Sequence, residues 1–209
     1  MQRGRVLNLS RLKFTNFFIH NKILLTCLTV LLIGIIFGVF SLEKYQVLYK
    51  LTENIFNDFY ALRSISVFSK IFLNSFYRYS LVLVIFLILG TSFFGVIATP
   101  FLLFVFGVLC GNITSYLYSV YALKGIAFNA IIFLPSIIIF AIVLLLICNQ
   151  TVSFSLRISS LTFSNTATHN LFLEFKKFLI FFLLFLALCF ICAVVDAVIS
   201  CSFIKYFDF

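Results

Sequence analysis

The sequence predicts an all-α fold: a polytopic integral membrane bundle of five transmembrane helices with an amphipathic outer segment. Three observations carry this expectation. Composition is the first, with 64% hydrophobic and 10% charged residues and a mean hydropathy of +1.22, where a soluble domain has roughly 25% charged residues. A chain of 209 residues cannot hide that much apolar surface from water in one core. The second is run length. Uncharged runs at Ile23 to Leu42, Tyr79 to Leu123, Gly125 to Leu156 and Phe178 to Val195 reach or approach the ~20 apolar residues that a membrane-crossing helix needs. The third is tyrosine, which prefers the membrane–water interface. Once the spans are drawn, all nine tyrosines fall at or beyond one face of the membrane.

Taken in order, the first span is expected over about 23–42. A basic stretch precedes it, and "IIFGVFSLEKY" offers no small-residue cleavage site, so the run reads as a retained signal anchor. An outer segment, 43–78, comes next. In it Leu51, Ile55, Phe59 and Leu62 recur at helical spacing, then Ile65, Phe68, Phe72 and Phe76, with polar residues on the other faces. Such helices lie in the interface or cover another protein's transmembrane face. Ile55, Phe59, Phe68 and Phe72 are the candidate partner surface.

The second uncharged run is too long for one helix. The residue before a proline avoids the helical region, so Thr99-Pro100 is taken as the break between spans at 79–98 and 101–121. The fourth span, 126–150, carries Pro135 in its interior, which costs about 3 kcal/mol in a soluble helix. Membrane helices tolerate proline where neighbours or Ser and Thr satisfy the freed carbonyl. Pro135 is therefore expected to kink the helix, with Ser136 and Asn129 placed to compensate. An inner loop at 151–177, rich in Ser, Thr and Asn, leads to the fifth span at 178–200. Five crossings put the termini on opposite sides. Basic residues hardly choose between orientations, eight on one side and seven on the other. The tyrosine band and the basic cluster ahead of the first span favour a cytoplasmic amino terminus and an outer carboxyl terminus.

Few residues are equipped for chemistry. Five of the six cysteines lie within spans and the sixth just past one, where a thiol behaves as a small apolar group. His20 and Cys27, seven residues apart in "FFIHNKILLTC", have the spacing of the quorum-peptide-processing cysteine proteases, but no glycine pair precedes the histidine. No H-E-x-x-H occurs. Asp196 is the one acid inside a span, and intramembrane acids face a bundle interior or a water-filled cavity. Toward the outer end of the fifth span, it is placed to reach water or to pair with Lys205 or Lys124. No catalytic residue, cofactor or metal is expected. Packing signals are stronger. Gly34-x-x-x-Gly38 and Gly107-x-x-x-Gly111 each place two glycines on one helix face, which lets backbones approach closely.

The stretch from Leu87 to Ser155 resembles the core of the stage II sporulation protein M family. The likeness rests on Gly90, Gly95, Gly107, Gly111, Gly125, the Leu134-Pro135 pair and the exit Ser153 and Ser155. The turn Leu123-Lys124-Gly125 and the aliphatics after Ser136 depart from the family pattern. The resemblance implies five spans and a non-enzymatic scaffold for membrane-anchored peptidoglycan hydrolases during engulfment. It makes Pro135 a family feature. Expected partners are those hydrolases and the lipid bilayer, with no nucleic acid. A transporter subunit, or a transporter's partner, is the alternative reading. A solute route normally needs several intramembrane polar groups, and Asp196 alone is evident.

Overall fold

A computed structural model describes residues 22–65, 67–92, 94–163 and 171–207. Every element among them is helical. They are α1 (Lys22–Lys44), α2 (Gln46–Ile65), α3 (Phe68–Gly90), α4 (Gly95–Phe128), a π-turn (Asn129–Phe133), α5 (Leu134–Phe163), α6 (Leu171–Phe203) and a final 3-10 turn (Ile204–Tyr206). Four continuous helical stretches are long and apolar enough to cross a membrane: Lys22–Leu42, Phe68–Gly90, Gly95–Leu156 and Phe175–Tyr206. The third has 62 residues, about three times the length one crossing needs. It is divided at Ala122, whose φ of 46° and ψ of −122° lie far from helical values. Division there gives five apolar helices.

The reversal at Ala122 depends on Gly125. A side chain on Gly125 would collide with the carbonyl oxygen of Leu117, eight residues back. No other residue lets the chain fold back so closely, which is why the uncharged run is punctuated by Leu123-Lys124-Gly125 rather than by a polar loop.

Several boundaries differ from the sequence expectation. The break expected at Thr99-Pro100 falls instead between Gly90 and Gly95, and Pro100 lies inside α4. Pro100 is the sixth residue of α4, past the unpaired first-turn amides, so the helix gives up one amide donor there. The turn forms where its carbonyls find partners: Ser92 N–H donates to Leu89 O at 3.0 Å, and the hydroxyl of Ser155, from α5, donates to Ser92 O at 2.7 Å. Residues 151–163, read as loop, continue α5. There Ser153 folds its hydroxyl back onto the carbonyl of Asn149 (2.7 Å), satisfying itself without leaving the helix. The outer segment is also divided. Phe68 and Phe72 belong to α3, whose helix begins well before position 79, while Ile55 and Phe59 belong to α2.

Helices α1 and α4 run in the same direction and pack on their glycines. A side-chain carbon on Gly34 would lie 2.6 Å from the carbonyl oxygen of Phe104 and 3.3 Å from the Gly107 Cα. One on Gly107 would lie 2.6 Å from Leu31 O. Gly38 and Gly111 repeat the arrangement four residues on, against Val108 O and Ile35 O. The two G-x-x-x-G pairs interlock. Beside them Ser41 and Asn112, both buried, are joined at 3.3 Å.

Two apolar clusters fill the bundle. One joins Leu83, Phe86, Leu103, Phe140, Leu144 and Cys189. The other lies where α2, the Ala122 reversal and the carboxyl end meet, and it is largely aromatic: Phe56, Tyr116 and Phe128 are buried, with Tyr49, Tyr60, Tyr121 and Phe207 packed against them. Phe128 meets Phe56 edge-on at 5.7 Å and Phe207 at 5.4 Å. The Tyr60 hydroxyl donates to Phe207 O at 2.7 Å, across 147 positions of sequence. These rings tie the carboxyl end to α2, in geometries that add to simple burial.

Candidate functional site

Asp196 lies on α6, with Ser200 one turn further along the same face. It is 2% exposed. Its partner is Arg63, near the carboxyl end of α2, rather than Lys205 or Lys124, both of which are exposed. The Arg63 Nη2 lies 2.5 Å from Asp196 Oδ2, and Nε donates to the Ser200 hydroxyl at 3.0 Å. Ser75 of α3 donates to the same carboxylate oxygen at 2.5 Å. Ser136 of α5 donates to Oδ1 at 3.1 Å. One buried carboxylate therefore gathers α2, α3, α5 and α6. The Arg63 guanidinium also sits 3.4 Å above the ring of Phe59, one turn earlier on α2, and Phe59 in turn packs edge-on against Phe133 at 5.6 Å.

The geometry gives Pro135 a role. Proline has no N–H to return to the preceding turn, and the chain before it widens into the π-turn Asn129–Phe133, with Leu134 N–H bonding to Asn129 O. A π-turn inserts one extra residue and so rotates the next residues about the helix axis. Among these is Ser136, whose hydroxyl is given to Asp196 and not to a freed carbonyl. Asn129 reaches Thr114, its Nδ2 donating at 3.4 Å. The expected compensation by Ser136 and Asn129 is thus replaced by a π-turn that aims Ser136 at the carboxylate.

Burial pulls the Arg63 guanidinium below its ordinary pKa. The Asp196 carboxylate opposes that shift, and nearby Arg78 adds to it. Arginine begins so far above neutrality that it stays charged. Arg63 and Asp196 form a salt bridge whose two side chains are 4% and 3% exposed. In such pairs, desolvation offsets much of the mutual attraction, while deletion of one partner strands the other.

Sequence reading placed Asp196 in the bundle but missed Arg63. The sequence carried no signal for it, since Arg63 lies off the Leu51, Ile55, Phe59 and Leu62 stripe; the structure buries a different face of α2, with Thr52, Phe56 and Arg63. His20 lies outside the described residues. Cys27 is buried, with its sulfur 3.0 Å from that of Cys148 on α5. Among the partner-surface candidates, Ile55 and Phe68 are exposed, Phe59 packs beneath Arg63, and Phe72 stacks between Phe68 and Phe76 and meets Phe190 edge-on at 5.2 Å.

The fold and site define a class: a multi-pass, all-α membrane protein whose apolar helices close on interlocked glycines and whose interhelical ion pair fastens an amphipathic helix to the bundle. The chain belongs to the SpoIIM family, described as stage II sporulation protein M, whose family profile matches residues 27–201. The matched region contains the glycine seam, the Pro135 π-turn, Arg63 and Asp196. No curated protein and no solved structure matches the chain.

Proposed function

We propose that this protein is a non-enzymatic membrane scaffold that holds membrane-anchored peptidoglycan hydrolases in a sporulation complex. Membership of the SpoIIM family supports the setting. The observation that carries the scaffold reading is the state of α2. This helix is clamped to the bundle through Arg63, yet Val47, Leu51 and Ile55 form an exposed apolar stripe at one-turn spacing, 71%, 52% and 42% exposed. Phe68 and Leu73 extend apolar surface onto α3, at 43% and 61%. A rigid helix with a bare apolar stripe offers a preformed groove-filling or helix-packing face. In contrast, the Asp196 carboxylate is buried and engaged by Arg63, Ser75 and Ser136, a set of contacts that ties four helices together.

Co-purification from the native host checks this reading. Leu51→Asp and Phe68→Asp change exposed positions, so both variants should reach the membrane in normal amounts and lose the hydrolases that wild type retains. Recovery of a nucleotide-driven transporter with the wild type would favour the transport reading, and unchanged hydrolase recovery with both variants would remove α2 and α3 as the docking face. Phe59→Asp is a poorer test because that ring lies under Arg63.

The proposed orientation places α2 on the outer face and the amino terminus in the cytoplasm. Asn57 and Lys176 are both exposed. Cysteines introduced at these two positions should respond oppositely to a membrane-impermeant maleimide added outside intact cells, with Asn57→Cys labelled and Lys176→Cys protected. Labelling of both from outside overturns the five-crossing order.

A further inference from the structure

A cavity of about 250 Å³ opens between α2, α3, α4 and the Pro135 region. Its walls are apolar: Val82, Phe106, Ile113, Phe133 and Phe140 line it, and the exposed side chains Ile55 and Leu109 mark its open side. Polar groups gather in one part only, where Arg63, Ser75, Arg78 and Tyr79 contribute to the lining. Two features of this polar end ask for a ligand. The Arg63 side chain is 4% exposed, and its Nη1, the one guanidinium nitrogen outside the Asp196 network, has no hydrogen-bond partner. A buried donor left unpaired is costly. Arg78 is exposed on a helix long and apolar enough to cross the membrane, and it makes no ion pair among the described residues.

Charge gives the sign of the missing group. Two arginines and one aspartate leave one uncompensated positive charge at the polar end. An arginine in a membrane-crossing helix without a counter-ion is expensive, and guanidinium groups suit phosphate because their fork of donors matches its oxygens. The walls give the rest: an inorganic anion would leave an apolar cavity, open toward the bilayer, without an occupant. We infer that this cavity binds a single anionic phospholipid, with its phosphate held by Arg78 and the free Nη1 of Arg63 and one acyl chain laid between Phe106 and Phe133. The inference is tested apart from the scaffold reading, because Arg78 and Leu109 do not belong to the Val47, Leu51, Ile55 and Phe68 surface, which meets the cavity only at Ile55.

Native mass spectrometry of the full-length protein in detergent tests it, with phosphatidylglycerol, phosphatidylcholine of the same chains, and inorganic phosphate as probes. Phosphatidylglycerol should bind at least about tenfold more tightly than phosphatidylcholine, and inorganic phosphate should not displace it. Arg78→Gln should erase that preference, about tenfold in apparent affinity, while melting like wild type because Arg78 makes no protein ion pair. Arg78→Lys should keep most of the preference, since it preserves the charge. Leu109→Trp, which puts a large ring at the cavity mouth, should block binding. Equal affinity for the two lipids overturns the inference. Displacement by inorganic phosphate would make this an anion site without a lipid, and binding untouched by Leu109→Trp would place the lipid elsewhere on the surface; either result also overturns it.

Discussion

Replacing Asp196 with alanine should destabilise the folded protein by about 3–5 kcal/mol, the cost of stranding a buried charge. Arg63 would keep its guanidinium in the bundle with only Ser75 and Ser200 as hydrogen-bond partners and no anion to balance it. Because Arg63 sits near the end of α2, the damage should begin there. Val67, in the short link between α2 and α3, is 70% exposed, so α2 release should appear as faster proteolysis at this link, together with a lower melting temperature in detergent. The double replacement Arg63→Met with Asp196→Leu separates the interpretations. Both charges then leave together, and apolar replacement of buried ion pairs is often neutral or stabilising. Stability should largely return. If Asp196→Ala melts with the wild type, the carboxylate is not what fastens α2.

The second large effect is expected at the glycine seam. Gly107→Ile and Gly111→Ile should each cost about 3 kcal/mol, the upper end of what overpacking typically costs. What the new side chain meets is backbone: Leu31 O and Ile35 N for Gly107, Ile35 O and Val39 N for Gly111. A flexible side chain can swing aside, whereas a helix carbonyl moves only with its helix. Even Gly111→Ala should therefore be measurably destabilising, as should Gly38→Ala from the opposite side. Thermal melting and monodispersity in detergent read this directly. Two changes on the same seam should not add, since the first already separates the helices. Wild-type melting of Gly111→Ile would mean that α1 and α4 do not approach as closely as described.

Local sequence dictates the solvent, the helix class and the points where backbones can come close. Hydropathy and run length are local properties, and a stretch such as Gly125 to Leu156 has to be helical in a bilayer because every backbone polar group must be paired within its own segment. Glycines four apart mark one helix face for the same local reason, and Gly125 beside Lys124 marked the reversal at Ala122. Which faces meet is settled by packing alone. Gly34 and Gly107 are far apart in the chain, and nothing in either motif names the other. The break after Gly90 was missed because Ser155, more than sixty positions from Ser92, supplies one of its hydrogen bonds, while Pro100, a strong breaker signal, is carried inside α4. The role of Pro135 was half legible: a proline announces a disturbed helix, but that the disturbance takes the form of a π-turn aiming Ser136 at a carboxylate depends on where α6 stands. The Arg63–Asp196 pair shows the limit most clearly. Asp196 looks anomalous in an apolar helix and Arg63 does not in an amphipathic one; 133 positions separate them, and whether two buried charges repay their desolvation is set by the distance between them, which is a property of the packed bundle and of no segment alone.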